Sequence, residues 1–126
     1  MTRKIIIAVA PTGGWGKNSK NPVLPDVIAN DVIQCAAEGA AVVHMHARDE
    51  QGLLSTDLSV FSTAVEHIKN SCDIILEAST GGLSNFTASE RVLPAGNPHA
   101  EMGSLNLGSL NFGDDVYQNS LPDVRF

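Results

Sequence analysis

The sequence predicts an α/β fold in which a parallel sheet carries its helices on the outside. Three observations lead there. Apolar strand-like runs begin near residues 4, 41, 74 and 102. Their spacing of about 30 residues is that of one βα unit. Segments with helical periodicity separate the runs, and glycine-rich turns follow them, as expected where strands alternate with crossover helices. The rhythm suits either an open doubly wound sheet or part of a (β/α)₈ barrel.

The elements follow in order. Lys4 to Ala10 is a continuous apolar run ending in Pro11-Thr12-Gly13-Gly14, which reads as a fully buried first strand. Arg3 and Lys4 ahead of it faintly imitate a signal peptide, but Gly13, Gly14, Trp15 and Gly16 stand where small cleavage-site residues would be needed. Trp15 to Pro25 is a polar loop. Pro25 and Asp26 open a helix whose Ile28, Val32, Cys35 and Ala36 share a face, and Gly39 stops it.

Ala40 to Ala47 is the second strand. Thr56 or Asp57 caps a second helix with Leu58, Phe61, Val65 and Ile68 on one side. Asp73 to Ala78 is the third strand. Thr87 and Glu90 have capping-box spacing for a short helix that Pro94 limits. Met102 to Leu107 is the fourth strand, Gly108 to Ser120 a loop, and Leu121-Pro122-Asp123 resembles a helix start.

Composition excludes several classes. The 126 residues are 43% hydrophobic and 17% charged, which suits one soluble globular domain. Eight basic residues against 14 acidic ones give a charge of −6, and the basic residues are scattered, so nucleic acid is not an expected partner. No apolar run reaches membrane-spanning length. Cys35 and Cys72 have no metal or redox spacing and read as two buried thiols of a cytoplasmic protein.

The chemistry concentrates at the strand ends. His44 and His46 lie two apart at the end of the second strand, so both imidazoles project to one face. They sit at the C-terminal sheet edge, where α/β sites form. Two adjacent imidazoles are half of a Zn²⁺ site, which needs a third protein ligand. The alternative is one core histidine and one solvated one.

Arg48 shares their parity. It could pair with a substrate carboxylate or make a structural pair with Asp49, itself a natural turn former. Ser79, Thr80, Gly81 and Gly82 offer hydroxyls and close-approach amides at the same edge, and Thr12 with its glycines has the same form after the first strand. Ser104 and Asn106 share a face of the fourth strand, lining a site or filling a polar layer. Glu77 shares parity with Ser79 and could face the same way or be structural. His67 and His99 read as surface residues.

With APTGGWG at 10–16, VVHMHARD at 42–49, EASTGG at 77–82 and MGSLNLGSLNFGDD at 102–115, the chain resembles the β-keto acid cleavage enzyme family. The resemblance runs in order across nearly the whole chain. It implies that residues 1–126 are the N-terminal half of one (β/α)₈ TIM-barrel domain, the first four βα units of a chain over twice this length. It implies a cytoplasmic, usually tetrameric, Zn²⁺-dependent enzyme that converts a β-keto acid and acetyl-CoA into acetoacetate and a new acyl-CoA.

His44 and His46 match the two metal ligands of the family, Thr80 and its glycines the carboxylate-holding loop, and Ser104 a substrate-contacting residue. The third ligand, a Glu in a late strand, and the Arg and Asp that activate the substrate fall beyond residue 126. Some members carry an acidic residue about where Trp15 stands, so their substrate preference does not transfer. Two other readings stand beside this one: a metal-dependent amidohydrolase-like hydrolase, though its HxH pair normally sits on the first strand, and an inactive truncated half-barrel. A half-barrel would leave the first and fourth strands as unpaired apolar edges prone to self-association.

Overall fold

The computed structural model describes residues 3–13, 18–81 and 85–126. Four strands form one parallel sheet in the order β1-β2-β3-β4: β1 (Ala8–Val9), β2 (Val42–Met45), β3 (Ile75–Ala78) and β4 (Met102–Gly103). The order rises without a reversal, so there is no topological switch point of the doubly wound kind among these four described strands.

Helices α1 (Pro25–Ala37) and α2 (Ser59–Ser71) pack against each other on one sheet face. Alternation along the strands explains this. Val43 and Met45 of β2, with Leu76 and Ala78 of β3, point toward Ile28, Ala29 and Val32 of α1 and Phe61, Ala64, Val65 and Ile68 of α2, and together they form the core. His44 and Glu77, at the intervening positions, share the opposite face.

Local signals set the helix limits. Pro25 sits in the first turn of α1, where its missing N–H costs nothing, and Asp26 favours the positive end of the helix. Gly39 adopts φ 103°, and Gly39 and Ala40 donate to the carbonyls of Ala36 and Cys35, closing a Schellman motif that only glycine enters without strain. At α2 the Asp57 carboxylate accepts the Ser59 N–H at 2.9 Å, and that hydrogen bond lowers its pKa. The capping box at α3 (Ala88–Arg91) is present, Thr87 and Glu90 serving each other's amides, and a 3₁₀ turn over Leu93–Gly96 carries Pro94.

Four expectations need correction. The first strand is neither seven residues long nor buried: β1 is two residues, and Ile5 is 79% exposed. It has a neighbour on one side only, so nothing in the described sheet covers the run before it. The fourth strand is likewise short, with Met102 and Leu107 exposed. The stretch after it is not all loop. Strands β5 (Leu110–Phe112) and β6 (Asp115–Tyr117) form an antiparallel hairpin around Gly113-Asp114, with Gly113 at φ 64°. The chain continues into α4 (Leu121–Val124), which opens on a second capping box from Ser120 to Asp123. Cys35 and Cys72 are half-buried free thiols rather than core residues. Among the described residues no helix is long and apolar enough to cross a membrane.

Candidate functional site

Parallel strands bring their C-terminal ends to one edge, and the chemistry-bearing residues gather there. His44 and His46 project from β2 and its extension to the same side. Their rings stand 5.0 Å apart between centroids and nearly perpendicular, at 77°. Glu77 is the register partner of His44 on β3, and its Oε2 lies 3.2 Å from His44 Nδ1. A carboxylate at that distance favours the tautomer protonated at Nδ1, which would leave Nε2 free for a metal, the arrangement of partners of metal-binding histidines.

His46 is in the opposite condition. Its Nδ1 is buried and has no hydrogen-bond partner among the described residues. Burial, reinforced by His44 and Arg48, pushes its pKa down to about 4, so the ring is neutral at pH 7. A neutral, desolvated imidazole with an orphaned nitrogen fits a metal ligand better than a satisfied core histidine. No group of three or more His, Cys, Asp or Glu side chains with metal-binding geometry occurs among the described residues, so this chain offers two imidazoles.

Arg48 is committed to the backbone. Nη1 donates to the Gly52 carbonyl at 2.6 Å and Nη2 to the Gly13 carbonyl. This ties the turn after β2 to the turn after β1. Asp49 does not pair with it: Oδ1 accepts the amides of Gln51 and Leu53 at 3.0 and 2.9 Å, with Gly52 at φ 76° completing the turn. Thr12 is buried and lines a closed space with Met45, His46 and Arg48.

Around the turn after β3, Ser79 Oγ is 3.4 Å from the Gly81 carbonyl, and Thr80 N donates to Ser104 Oγ at 3.2 Å. Thr80 Oγ1 donates to the Ser104 carbonyl. The structure thus brings Ser79, Thr80, Gly81 and Ser104 together. Gly82, like Trp15, lies outside the described residues. Asn106 is set apart: it is exposed, and its carbonyl accepts from Asn119 Nδ2. His99 is at the surface, while His67, also exposed, pairs with Asp26 at 2.7 Å and joins α2 to α1.

Several residues at this edge escape sequence reasoning. A cavity lined by His46, Ser55, Ser79, Gly81, Glu90 and Arg91 opens beside the histidine pair. Arg91 reaches it from the end of α3. Asn119, 5% exposed, accepts from Arg91 Nη2 at 3.2 Å and donates to the Ser109 hydroxyl through its own amide at 2.9 Å. Tyr117 of β6 stands so close over Gly81 that a Cβ on Gly81 would meet its hydroxyl at 1.5 Å. The one available signal was Gly113-Asp114 between short apolar stretches, which marks a hairpin.

Known proteins resemble the chain along its length. The model of the beta-keto acid cleavage enzyme family matches residues 4–126. Over 115 aligned positions the chain is 42% identical to a 3,5-dioxohexanoate:acetyl-CoA acetone transferase of Paraburkholderia graminis, covering 88% of this chain and 37% of that protein. It is 34% identical over 130 positions to a 3-keto-5-aminohexanoate cleavage enzyme of Fusobacterium nucleatum, covering 99% and 47%. It is 36% identical over 128 positions to a 3-oxoadipate:acetyl-CoA acetyltransferase of Cupriavidus necator, covering 98% and 44%. The chain spans less than half the length of these relatives.

Proposed function

The chain belongs to the beta-keto acid cleavage enzyme family, and we propose from that premise that its sheet edge is half of an active site for acetyl-CoA-dependent cleavage of a β-keto acid. The products are acetoacetate and a new acyl-CoA. The four βα units are then the first half of a (β/α)₈ barrel of ~250 residues, cytoplasmic and tetrameric as a whole. One observation carries the reading. His46, neutral with an orphaned buried nitrogen, stands beside His44, whose Nδ1 is engaged by Glu77, at the edge that holds the Ser79–Gly81 turn.

His44 and His46 are the residues that would hold Zn²⁺. Bound there, the ion would polarise the keto oxygen and stabilise negative charge developing on it as the carbon–carbon bond breaks. The other residues orient the substrate. The Thr80–Ser104 hydrogen bonds lock the turn after β3 against the following strand, so Ser79 and Gly81 present a fixed surface to a small carboxylate. Arg48 fixes the turns after β1 and β2 relative to each other, which keeps Thr12 beside His46. In this reading Arg48 shapes the site through the backbone, while Thr12, Ser79, Thr80, Gly81 and Ser104 remain the substrate-facing set and Asn106, set apart from them, leaves it.

The test is an assay with the Zn²⁺-loaded protein, acetyl-CoA and a panel of β-keto acids, monitoring acyl-CoA and acetoacetate. CoA-dependent formation of both products is the expected result when these residues are joined to the remaining half of the barrel, and residues 1–126 alone, with two imidazoles, should turn over poorly. Hydrolysis that does not need CoA would replace this reading with a hydrolase, and absence of metal uptake together with absence of turnover would refute it for this chain.

A further inference from the structure

We propose that one buried water molecule, held by Thr12 and by the Nε–H of Arg48, is the partner of His46 Nδ1, and that Thr12 acts through it as a positioning residue for this histidine. The proposal rests on the reading of His46 as a metal ligand and supplies the partner its second nitrogen lacks. Three observations carry it. His46 Nδ1 and Arg48 Nε are both buried, and neither has a hydrogen-bond partner among the described residues. Both side chains line one small cavity, and Thr12, 4% exposed, lines it with them. That cavity offers about 10 Å³ to the centre of a water molecule, which is room for about one.

The chemistry of the two nitrogens decides what can serve them. A guanidinium only donates, and Nη1 and Nη2 of Arg48 are engaged by the Gly52 and Gly13 carbonyls, so Nε–H is a donor that still needs an acceptor. An imidazole that binds a metal through one nitrogen donates its other N–H to a carboxylate, a backbone carbonyl or water. Glu77 stands in that place for His44. No carboxylate or carbonyl does so for His46 among the described residues, which leaves water. One water has two lone pairs, enough to accept from both nitrogens, and an O–H to donate to the Thr12 hydroxyl.

The surroundings make such a water hard to lose. Ile28, Met45 and Phe61, all buried, form much of the remaining wall, and a polar atom left unpaired against apolar groups carries its full desolvation penalty. Of the two cavities described beside His46, the one that runs to Ser79 and Gly81 is lined by neither Arg48 nor Thr12. The shared cavity is therefore where a single molecule can meet both nitrogens. With Nδ1 held there the ring is fixed, and Nε2 is left as its ligand nitrogen. Arg48 then does two things: its Nη atoms tie the turns after β1 and β2 together, and its Nε completes the water site between them.

A high-resolution crystal structure of the metal-free chain tests the site directly. One water should stand within about 3.2 Å of His46 Nδ1, Arg48 Nε and Thr12 Oγ1. Thr12→Val keeps the shape of the side chain and removes the hydroxyl; it should lose the water and weaken zinc affinity several-fold, up to about tenfold. Thr12→Ser should keep both. Chelator competition reads the affinities, and thermal melts report the fold separately. A merely structural Thr12 would lower the melting temperature in Thr12→Val while leaving the water and the zinc affinity as in wild type, and that result overturns the proposal. An ordered wild-type cavity without the water overturns it as well, whether or not Thr12→Val folds. A wild-type chain that shows the water yet takes up no zinc would refute the reading of His46 as a ligand and leave the water site standing.

Discussion

Replacing Glu77 should weaken zinc binding without unfolding the sheet. The Glu77 carboxylate is 3.2 Å from His44 Nδ1 and is its direct neighbour across the β2–β3 ladder. At that distance it favours the ring tautomer that would leave Nε2 as the ligand nitrogen. Partners of this kind are worth about 10–100-fold in metal affinity. The side chains of His44 and Glu77 are 26% and 22% exposed, so water screens part of the interaction and the effect belongs near the lower end. That gives about tenfold, or ~1.4 kcal/mol, for Glu77→Ala. Glu77→Gln keeps an acceptor but loses the charge, and charge-assisted hydrogen bonds are about twice as strong as neutral ones. It should fall between wild type and Glu77→Ala. Competition with a chromogenic chelator at pH 7.5 measures the affinities, and thermal melts of the metal-free proteins check the fold. Equal zinc affinity in wild type and a folded Glu77→Ala protein would refute the reasoning.

Three further outcomes follow from the same geometry. In metal-free protein, His46 should titrate near pH 4 rather than near 6.5, as read from its imidazole NMR shifts. Its folded pKa is depressed, so the unfolded chain takes up the proton first, and stability should fall as pH drops from 6.5 toward 4. His46→Gln should flatten that part of the stability curve, and a normal titration of His46 would contradict the burial argument. Phe61→Ala removes a side chain that is 1% exposed and should cost about 3–5 kcal/mol in urea unfolding; a loss under ~1 kcal/mol would mean that the α1–α2 core is wrongly placed. Gly81→Ala puts a Cβ onto the Tyr117 hydroxyl and should destabilise the protein by about 1–3 kcal/mol, a loss that Tyr117→Ala relieves. Additive effects of the two substitutions would show that the hairpin does not touch the turn.

Legibility from the sequence followed the range of the forces involved. The helix α1 was readable because its start and stop are local: Pro25 and Asp26 at one end, Gly39 at the other. The capping boxes at Thr87 and Ser120 were similarly local, the first read as such and the second as a helix start at Leu121. The pairing of His44 with His46 followed from strand parity alone. What the sequence hid was mostly long-range. Apolarity of residues 5–7 marks a strand that wants burial, but burial depends on a neighbour, and β1 has one neighbour only. Arg48 read as a partner for a substrate carboxylate or for Asp49 because its actual carbonyl partners, Gly13 and Gly52, come from two loops. Arg91 and Asn119 meet across 28 residues, and no periodicity announces such a contact.

The account stands on the histidine pair, and zinc coordination tests it most directly. X-ray absorption at the zinc edge, with stoichiometry by calorimetry, should find one Zn²⁺ per chain bound by two imidazole nitrogens at about 2.0–2.1 Å. Both imidazoles should disappear from the zinc shell, and the affinity collapse, in His44→Ala and His46→Ala. A wild-type chain that takes up no zinc, or a His46→Ala chain that binds it unchanged, would contradict the account.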